Sequence, residues 1–217
     1  MGIPERKERE FHRREQEILD AALSLFNRDD WQSVTIEEVA QAAEIGKGTV
    51  YKHFPSKEDI YARLALSFNT KLLERLRGID PTLDVIGRLR AVIRAFWETH
   101  VHSQEYHRLV QYCEREDFRR NISESIREEI HQLDEEFQNL VISLVEQGTR
   151  EGVFTGTKSP RMMLFGAQAA LFGAIRLVRG GCLEMVQASP EEFLEEISEF
   201  IIAGLTHERV SGTVLGK

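Results

Sequence analysis

The residues with the clearest chemical capacity lie in one short stretch, 47–57, which reads KGTVYKHFPSK. Val50 and Phe54 are its apolar anchors, and Pro55 must end the helix because proline cannot occupy a helix interior. The outward face of such a helix carries amines, a hydroxyl, a phenol and an imidazole. Hydrogen-bond donors of this kind suit the major groove of DNA better than a protein core. The stretch therefore predicts a helix that reads DNA.

The candidate DNA contacts fall into two chemical roles, because phosphates position a protein on a duplex while base edges carry the sequence information. We expect phosphates to be held by Thr35, by Lys47 or the Gly48 amide, and by Lys52, His53 and Lys57. We expect base edges or thymine methyl groups to be reached by Thr49, Tyr51 and Lys52. The alternative is that Tyr51 and His53 only pack within their own domain.

The elements on either side must hold this helix in place. A preceding helix is predicted with one apolar face, formed by Ile36, Val39, Ala40 and Ala43. Thr35 and Glu38 have the spacing of a capping box, which sets where that helix begins. Residues 44–46 break the helical pattern and predict a tight turn. A further helix is predicted from Lys57 to Arg77, opened by a second capping box at Ser56 and Asp59.

A family resemblance rests on the residues of this region. The A-x-x-A run followed by Ile45, Lys47-Gly48, Tyr51, His53-Phe54 and Lys57 resembles the N-terminal DNA-binding domain of the TetR family of transcriptional regulators. The resemblance covers about residues 13–65, and the rest of the chain is similar to the family only in helical character and length. It implies a helix-turn-helix whose second helix reads operator DNA, in a homodimer that a small ligand releases from the DNA.

Two positions depart from the family pattern. Glu44 stands where the family usually has Gly, and Gly46 stands where it usually has Ser or Thr. A positive φ at Glu44 costs on the order of 1 kcal/mol. We therefore expect a turn of altered shape, with one phosphate contact of the family in question at Gly46. These departures keep open a second hypothesis, a helical ligand-binding or scaffold protein that no longer binds DNA.

Composition sets limits on the class of protein. The chain has 217 residues, of which 41% are hydrophobic and 29% charged, with a net charge of −8. The acidic total argues against a nucleic-acid partner, but residues 1–14 and 44–57 are each locally basic. Local charge determines whether a surface attracts DNA, because salt screens charges that lie further away than the Debye length of about 8 Å in physiological salt. No apolar run approaches the roughly 20 residues of a membrane span, and we expect a cytoplasmic protein without a membrane partner.

Helical periodicity continues through the rest of the chain. We predict helices over about 13–27, 83–101, 126–144, 161–178 and 190–205, and a shorter helix that runs through Tyr106 to Cys113. Residues 1–11 are expected to form a charged arm and residues 28–33 a loop. The helix at 161–178 is apolar almost all round and must be covered on every side. A second copy of the chain is the simplest cover, so helices 161–178 and 190–205 predict a homodimer interface.

The predicted architecture is all-α. An N-terminal helix-turn-helix domain of three helices occupies residues 1–57, the helix 57–77 links it onward, and a C-terminal helical bundle over 58–217 binds ligand and dimerises. We expect a small apolar or aromatic effector among the helices between Leu83 and Val178. The candidate lining residues are Trp97, Tyr106, Phe118, Phe137, Phe165, Gln168, Phe172 and Arg176, each of which could also be plain core.

Metal or catalytic chemistry has weak support in the sequence. Glu98, His100, His102 and His107 are the only cluster that hints at a metalloprotein, and solvated surface histidines are the favoured interpretation. No nucleophile elbow, phosphate-cradling glycine loop or CxxC pair is present. We therefore predict a transcriptional regulator that needs no cofactor and is not an enzyme, most simply a repressor of a roughly palindromic operator.

Overall fold

A computed structural model describes residues 3–26, 28, 30–113, 115–155 and 159–206. These residues form ten α-helices and two short 3-10 helices, with no strand among them, so the all-α prediction is confirmed. The helices are α1 (Ile3–Leu25), α2 (Ile36–Ala42), α3 (Lys47–His53), α4 (Lys57–Arg77), α5 (Val85–His102), α6 (Gln104–Cys113), α7 (Glu116–Asn121), α8 (Glu124–Arg150), α9 (Pro160–Arg179) and α10 (Pro190–Thr206). The 3-10 helices span Trp31–Ser33 and Cys182–Val186.

Helix α1 corrects the expected start of helical structure. A helix beginning near residue 13 was expected, after a charged arm, but α1 already begins at Ile3. The arm is rich in Glu, Arg and Lys, which are strong helix formers. Charged pairs along α1 add support, for example Arg13 Nη1 at 2.9 Å from Glu17 Oε1.

Two other segments differ from expectation. The loop predicted at 28–33 contains a short 3-10 helix with Trp31 buried, and α7 was not predicted at all. The capping box expected at the start of α4 is only half formed. The Ser56 hydroxyl accepts the Asp59 N–H at 3.0 Å, but the Asp59 carboxylate accepts the backbone N–H of Ser123 at 2.8 Å instead of turning back.

The described residues form two compact units. The first comprises the described residues within 1–71 and 103–133, and the second those within 72–102 and 134–206. The division predicted at residues 57 and 58 concerns function and stays a prediction. In the first unit α2 packs on α1 and α3, because each presents an apolar stripe. The core of this unit includes Ile18, Ala22, Phe26, Val39, Val50, Phe54, Ile60, Tyr61 and Leu109.

In the second unit α9 packs on α5 and α10, and α5 also contacts α10. The core includes Leu89, Ile93, Trp97, Leu144, Phe154, Leu171, Ile175 and Ile202. Gly148 permits a close approach here, because a Cβ atom at this position would lie 2.2 Å from the Phe154 ring. Among the described helices, α9 alone is long and apolar enough to cross a membrane by length and composition.

Candidate nucleic-acid interface

The start of α2 is set by the predicted capping box, which is confirmed. Glu38 donates its backbone N–H to Thr35 Oγ1 at 3.2 Å, and the Glu38 carboxylate accepts the Thr35 N–H at 2.9 Å. These bonds satisfy backbone donors that an uncapped helix leaves free. The Thr35 hydroxyl also donates to Glu38 Oε2 at 3.0 Å. A phosphate contact from this hydroxyl must therefore compete with the cap.

The turn between α2 and α3 forms with a glutamate in the left-handed region. Glu44 has φ +55°, and its side chain is exposed. The helix ends in the hydrogen bond from Ile45 N–H to the Ala40 carbonyl at 2.9 Å, which reaches over this residue. Gly46 follows as the N-cap of α3 and makes no side-chain capping bond. The two departures from the family pattern therefore leave the helix-turn-helix intact.

Helix α3 has one buried face and one exposed face. Val50 is fully buried, and Phe54, directly after the helix, is buried in the same core. Gly48, Tyr51 and Lys52 are exposed, and Thr49 is half-buried beside them. The burial of two apolar anchors fixes the rotation of the helix about its axis. The polar side chains predicted to reach bases are thus directed away from the core.

Lys47 is tied to the preceding helix. Its amine forms an ion pair with Glu37 and lies 5.7 Å from the centre of the Tyr51 ring. The hydrogen bond to Glu37 raises the pKa of Lys47. This pair is exposed and is worth little in stability. It does orient the amine and the phenol ring on the same side of α3.

His53 has an aromatic partner from α1. Its ring lies 4.2 Å from the ring of Phe11, centre to centre, with 35° between the planes. Burial lowers the pKa of His53 below its ordinary value, and nearby Arg14 and Lys52 act in the same direction. This shift favours the neutral imidazole in the protein without DNA, and a ring N–H can still donate a hydrogen bond to a phosphate.

Lys57 is turned toward the protein. Its amine donates to the carbonyl oxygens of Val34 at 2.9 Å and of Gln32 at 3.3 Å. The same amine lies 5.6 Å from the centre of the Tyr61 ring and 5.7 Å from that of Tyr112. Burial lowers the pKa of Lys57. The side chain predicted to hold a phosphate at the N-terminus of α4 thus holds the backbone ahead of α2.

The aromatic cluster around Lys57 was not predicted. Tyr61 and Tyr112 meet edge to face at 4.9 Å, and burial raises the pKa of both phenols. Trp31 and Phe26 complete the cluster, stacked 5.1 Å apart. The helical spacing of Tyr61 indicates only a core position. No local pattern in the sequence links it to Tyr112, which is 51 positions away.

Two stretches of the chain match models of known protein families. Residues 18–64 match the model of the bacterial regulatory proteins of the tetR family, and residues 82–176 match the model of the tetracyclin repressor-like C-terminal domain. The chain belongs to the TetR family. This TetR-family protein is a DNA-binding transcriptional regulator, and α2, the turn and α3 form its helix-turn-helix.

Individual relatives extend the comparison along the chain. The HTH-type transcriptional repressor KstR2 of Mycobacterium tuberculosis is 24% identical over 198 residues, covering 91% of this chain and 95% of that protein. A protein of unknown function from Rhodococcus sp. RHA1 superposes with a TM-score of 0.71 at 20% identity, over 89% of this chain and 96% of that one. The fatty acid degradation regulator FadR of Bacillus halodurans superposes with a TM-score of 0.68 at 19% identity, over 90% of this chain and 97% of that one. At these identities the two structures show the fold alone.

The residues predicted to line an effector pocket of the TetR-family regulator do not lie in one place. Tyr106 and Phe118 are buried and belong to the first unit, and Phe118 is part of its core. The other six belong to the second unit: Trp97 is buried, Phe137 and Gln168 are half-buried, and Phe165, Phe172 and Arg176 are exposed on α9. The members that share a neighbourhood are Phe137 and Phe172, whose rings lie 6.0 Å and 5.2 Å from that of Phe96.

The prediction for the histidine cluster needs correction at one position, because His102 is exposed as predicted but His100 is not. Surface positions were expected, but His100 is only 2% exposed, and its Nδ1 lies 2.8 Å from the Phe96 carbonyl oxygen. The ring stacks on that of Phe96 at 4.1 Å. The spacing of four residues places both rings on the inner face of α5, where aromatic packing outweighs the polar tip. The described residues contain no group of three or more side chains placed to hold a metal.

Proposed function

We propose that this regulator represses transcription by binding a roughly palindromic operator as a homodimer, and that a small apolar ligand releases it. The observation that carries the proposal is the geometry of α3, which buries Val50 and exposes Gly48, Tyr51 and Lys52. Thr49, Tyr51 and Lys52 read base edges in the major groove. Lys52, Thr35 and either Lys47 or the Gly48 amide hold phosphates, while His53 supplies a neutral donor. The regulator acts in the cytoplasm by binding and not by catalysis.

An apolar surface on α9 and α10 supports dimerisation. Large side chains on it are well exposed: Met162 58%, Phe165 54%, Phe172 40%, Leu177 46% and Phe200 68%. A Cβ atom at Gly166, Gly173 or Gly204 would meet no atom within 4 Å, so the exposed faces of both helices have shallow gaps between large side chains. Such alternation suits the interlocking packing of helices. A second copy of the chain covers this surface and places two reading helices on successive half-sites.

The same surface bears on the membrane alternative for α9. Its inner face packs on α5 and α10 through Leu164, Leu171 and Ile175. The outer face includes Arg176 as well as the exposed aromatic rings. Only 22% of this apolar stretch is buried, so its outer face needs a cover that the described residues do not supply. The continuity of the exposed face from α9 to Phe200 on α10 favours a protein partner.

We place the effector in the second unit. The rings of Phe137 and Phe172 lie 6.0 Å and 5.2 Å from that of Phe96, and this aromatic group offers an apolar environment. The name of the structural neighbour FadR refers to fatty acid degradation, and an acyl chain fits the wealth of phenylalanine here. Such a ligand acts by favouring one arrangement of the reading helices, which needs about 5.5 kcal/mol of differential affinity for a complete switch.

Fluorescence anisotropy with duplexes tiled across the upstream region of the protein's own gene tests the function. One segment should bind at least about 10³-fold more tightly than unrelated DNA of equal length. Thr49→Ala should reduce that ratio by roughly 10-fold or more, since it removes a base contact. Equal affinity for every duplex contradicts the proposal. Dodecanoate should weaken operator binding and succinate should not, because only the first has an apolar chain.

A further inference from the structure

The first turns of α1 extend beyond any core. From Glu5 to Phe11 each side chain is exposed, yet the segment is helical and continuous with the part of α1 that packs on α2. Phe11 is 44% exposed and stacks on His53 at the C-terminal end of α3. This ring contact fixes one side of the extension against the reading helix. The extension therefore has a defined orientation without a hydrophobic core of its own.

Basic side chains surround the ring contact. With 3.6 residues per turn, Lys7 lies about 40° and Arg14 about 60° around α1 from Phe11, so both are on the side that faces α3. Arg14 and Lys52 lie near enough to His53 to lower the pKa of the imidazole. Two helices thus contribute cations to one surface. By contrast, Arg6 and Arg13 lie about 140° and 160° from Phe11, on the opposite side of α1.

Acidic neighbours offset part of the positive charge of this surface. Glu17 pairs with Arg14 at 2.7 Å and with Arg13 at 2.9 Å, and Glu15 is 3.1 Å from His12. Glu15 also raises the pKa of His53, so the Glu15 carboxylate interacts electrostatically with the ring contact. Among the described residues Lys7 has no ion-pair partner. Its Cα atom lies about 6 Å from that of Phe11 along the axis, toward the N-terminus of α1, at 1.5 Å per residue.

We propose that Lys7 and Arg14, held beside α3 by the Phe11–His53 contact, form a second DNA-binding surface that takes the phosphates bordering the groove read by α3. The inference rests on the proposed function. A helix in the major groove lies between two phosphate walls about 12 Å apart, and an element fixed to one side of that helix meets one of them. The ligand is the phosphodiester backbone, so the contact is independent of base sequence.

Counterion release provides the test, with a control on the same helix. The double variant Lys7→Gln/Arg14→Gln removes two cations from the side facing α3, and Arg6→Gln/Arg13→Gln removes two from the opposite side. Both pairs include one arginine that contacts Glu17, so the loss of that ion pair is matched. Affinity for the operator duplex and for unrelated DNA is measured between 50 and 200 mM salt, together with the thermal midpoint of each variant.

The slope of log affinity against log salt should fall by about 1–2 for Lys7→Gln/Arg14→Gln and stay near the wild-type value for the control. The loss of affinity should be the same factor for operator and unrelated DNA, so that specificity is kept. Equal slopes for the two double variants overturn the second surface while leaving the proposed function standing. A wild-type chain that binds no duplex overturns the proposed function, and the second surface with it.

Discussion

At the scale of single residues, the chemistry of a side chain depends on which neighbours it meets. Lys52 and Lys57 are both lysines of the helix-turn-helix region, but Lys52 is exposed while the Lys57 amine is bound by two carbonyl oxygens. A charged donor with two acceptors stabilises the fold by about 1.5–3 kcal/mol per bond in favourable cases. Lys57 is thus a structural lysine in this conformation, and Lys52 is a candidate for DNA.

Lys57→Met should lower the free energy of unfolding by about 1–3 kcal/mol, because methionine keeps the apolar stem but leaves the carbonyl oxygens of Gln32 and Val34 unpaired. For the Lys57→Met variant, the slope of log DNA affinity against log salt should match that of the wild type. Lys52→Met should do the reverse, with unchanged stability and a slope lower by about one. Urea denaturation and salt titration measure the two effects. If Lys57→Met lowers the slope of log affinity against log salt and keeps full stability, Lys57 binds a phosphate, as its position in the sequence predicted.

At the scale of elements, the start of α4 is hydrogen-bonded to the segment that joins α7 to α8. Asp59 is 1% exposed, and its Oδ1 accepts the Ser123 N–H, while its Oδ2 has no partner among the described residues. One turn later Arg63 donates to Glu129 of α8 through both terminal nitrogens. Only three residues separate α3 from α4. The orientation of the reading helix therefore depends on contacts made with residues more than 60 positions away.

Asp59→Ala should destabilise the protein by about 1–3 kcal/mol, because it leaves the half-buried backbone donor of Ser123 unpaired. Asp59→Asn should lose less, since the amide oxygen still accepts that N–H. Asp80→Ala is the control: Asp80 also accepts a backbone N–H, from Thr82 at 2.8 Å, but it is exposed. Urea denaturation ranks the three variants. Equal losses for the Ala and Asn variants of Asp59 contradict a role for this hydrogen bond.

At the scale of the whole molecule, the proposed dimer sets the expected affinity for an operator. Two linked half-site contacts bind more strongly than one, because the second contact is made at a high effective concentration. The exposed apolar faces of α9 and α10 are the surface proposed for this dimer.

Phe165→Glu and Phe200→Glu should each convert the dimer into monomers, since a buried carboxylate without a partner strongly disfavours association. Operator affinity should fall on the order of 100-fold with the loss of linked binding. Leu83→Glu introduces the same charge at an apolar residue that is 44% exposed but lies outside both helices, and it should remain dimeric. Sedimentation measures the mass. A monomeric wild type, or dimeric Glu variants, would falsify the proposed interface.

The sequence alone determined most of the helical elements and the cap of α2. The bounds of α4 were predicted as found, and the capping box at Thr35 forms as its spacing indicates. These features arise between residues three or four apart, whose geometry the helix itself fixes. The family resemblance of residues 13–65 has the same local origin, because its motif lies within a few turns of chain.

Tertiary structure alone decided which side chains are free to act. The inward Lys57 amine, the buried His100 and the assignment of residues 103–133 to the first unit depend on partners far apart in the chain. Periodicity indicates that a residue faces a core, but it does not identify which distant element provides that core. Burial and hydrogen bonding then change charge, pKa and accessibility together, and so they decide which candidates can meet DNA or a ligand.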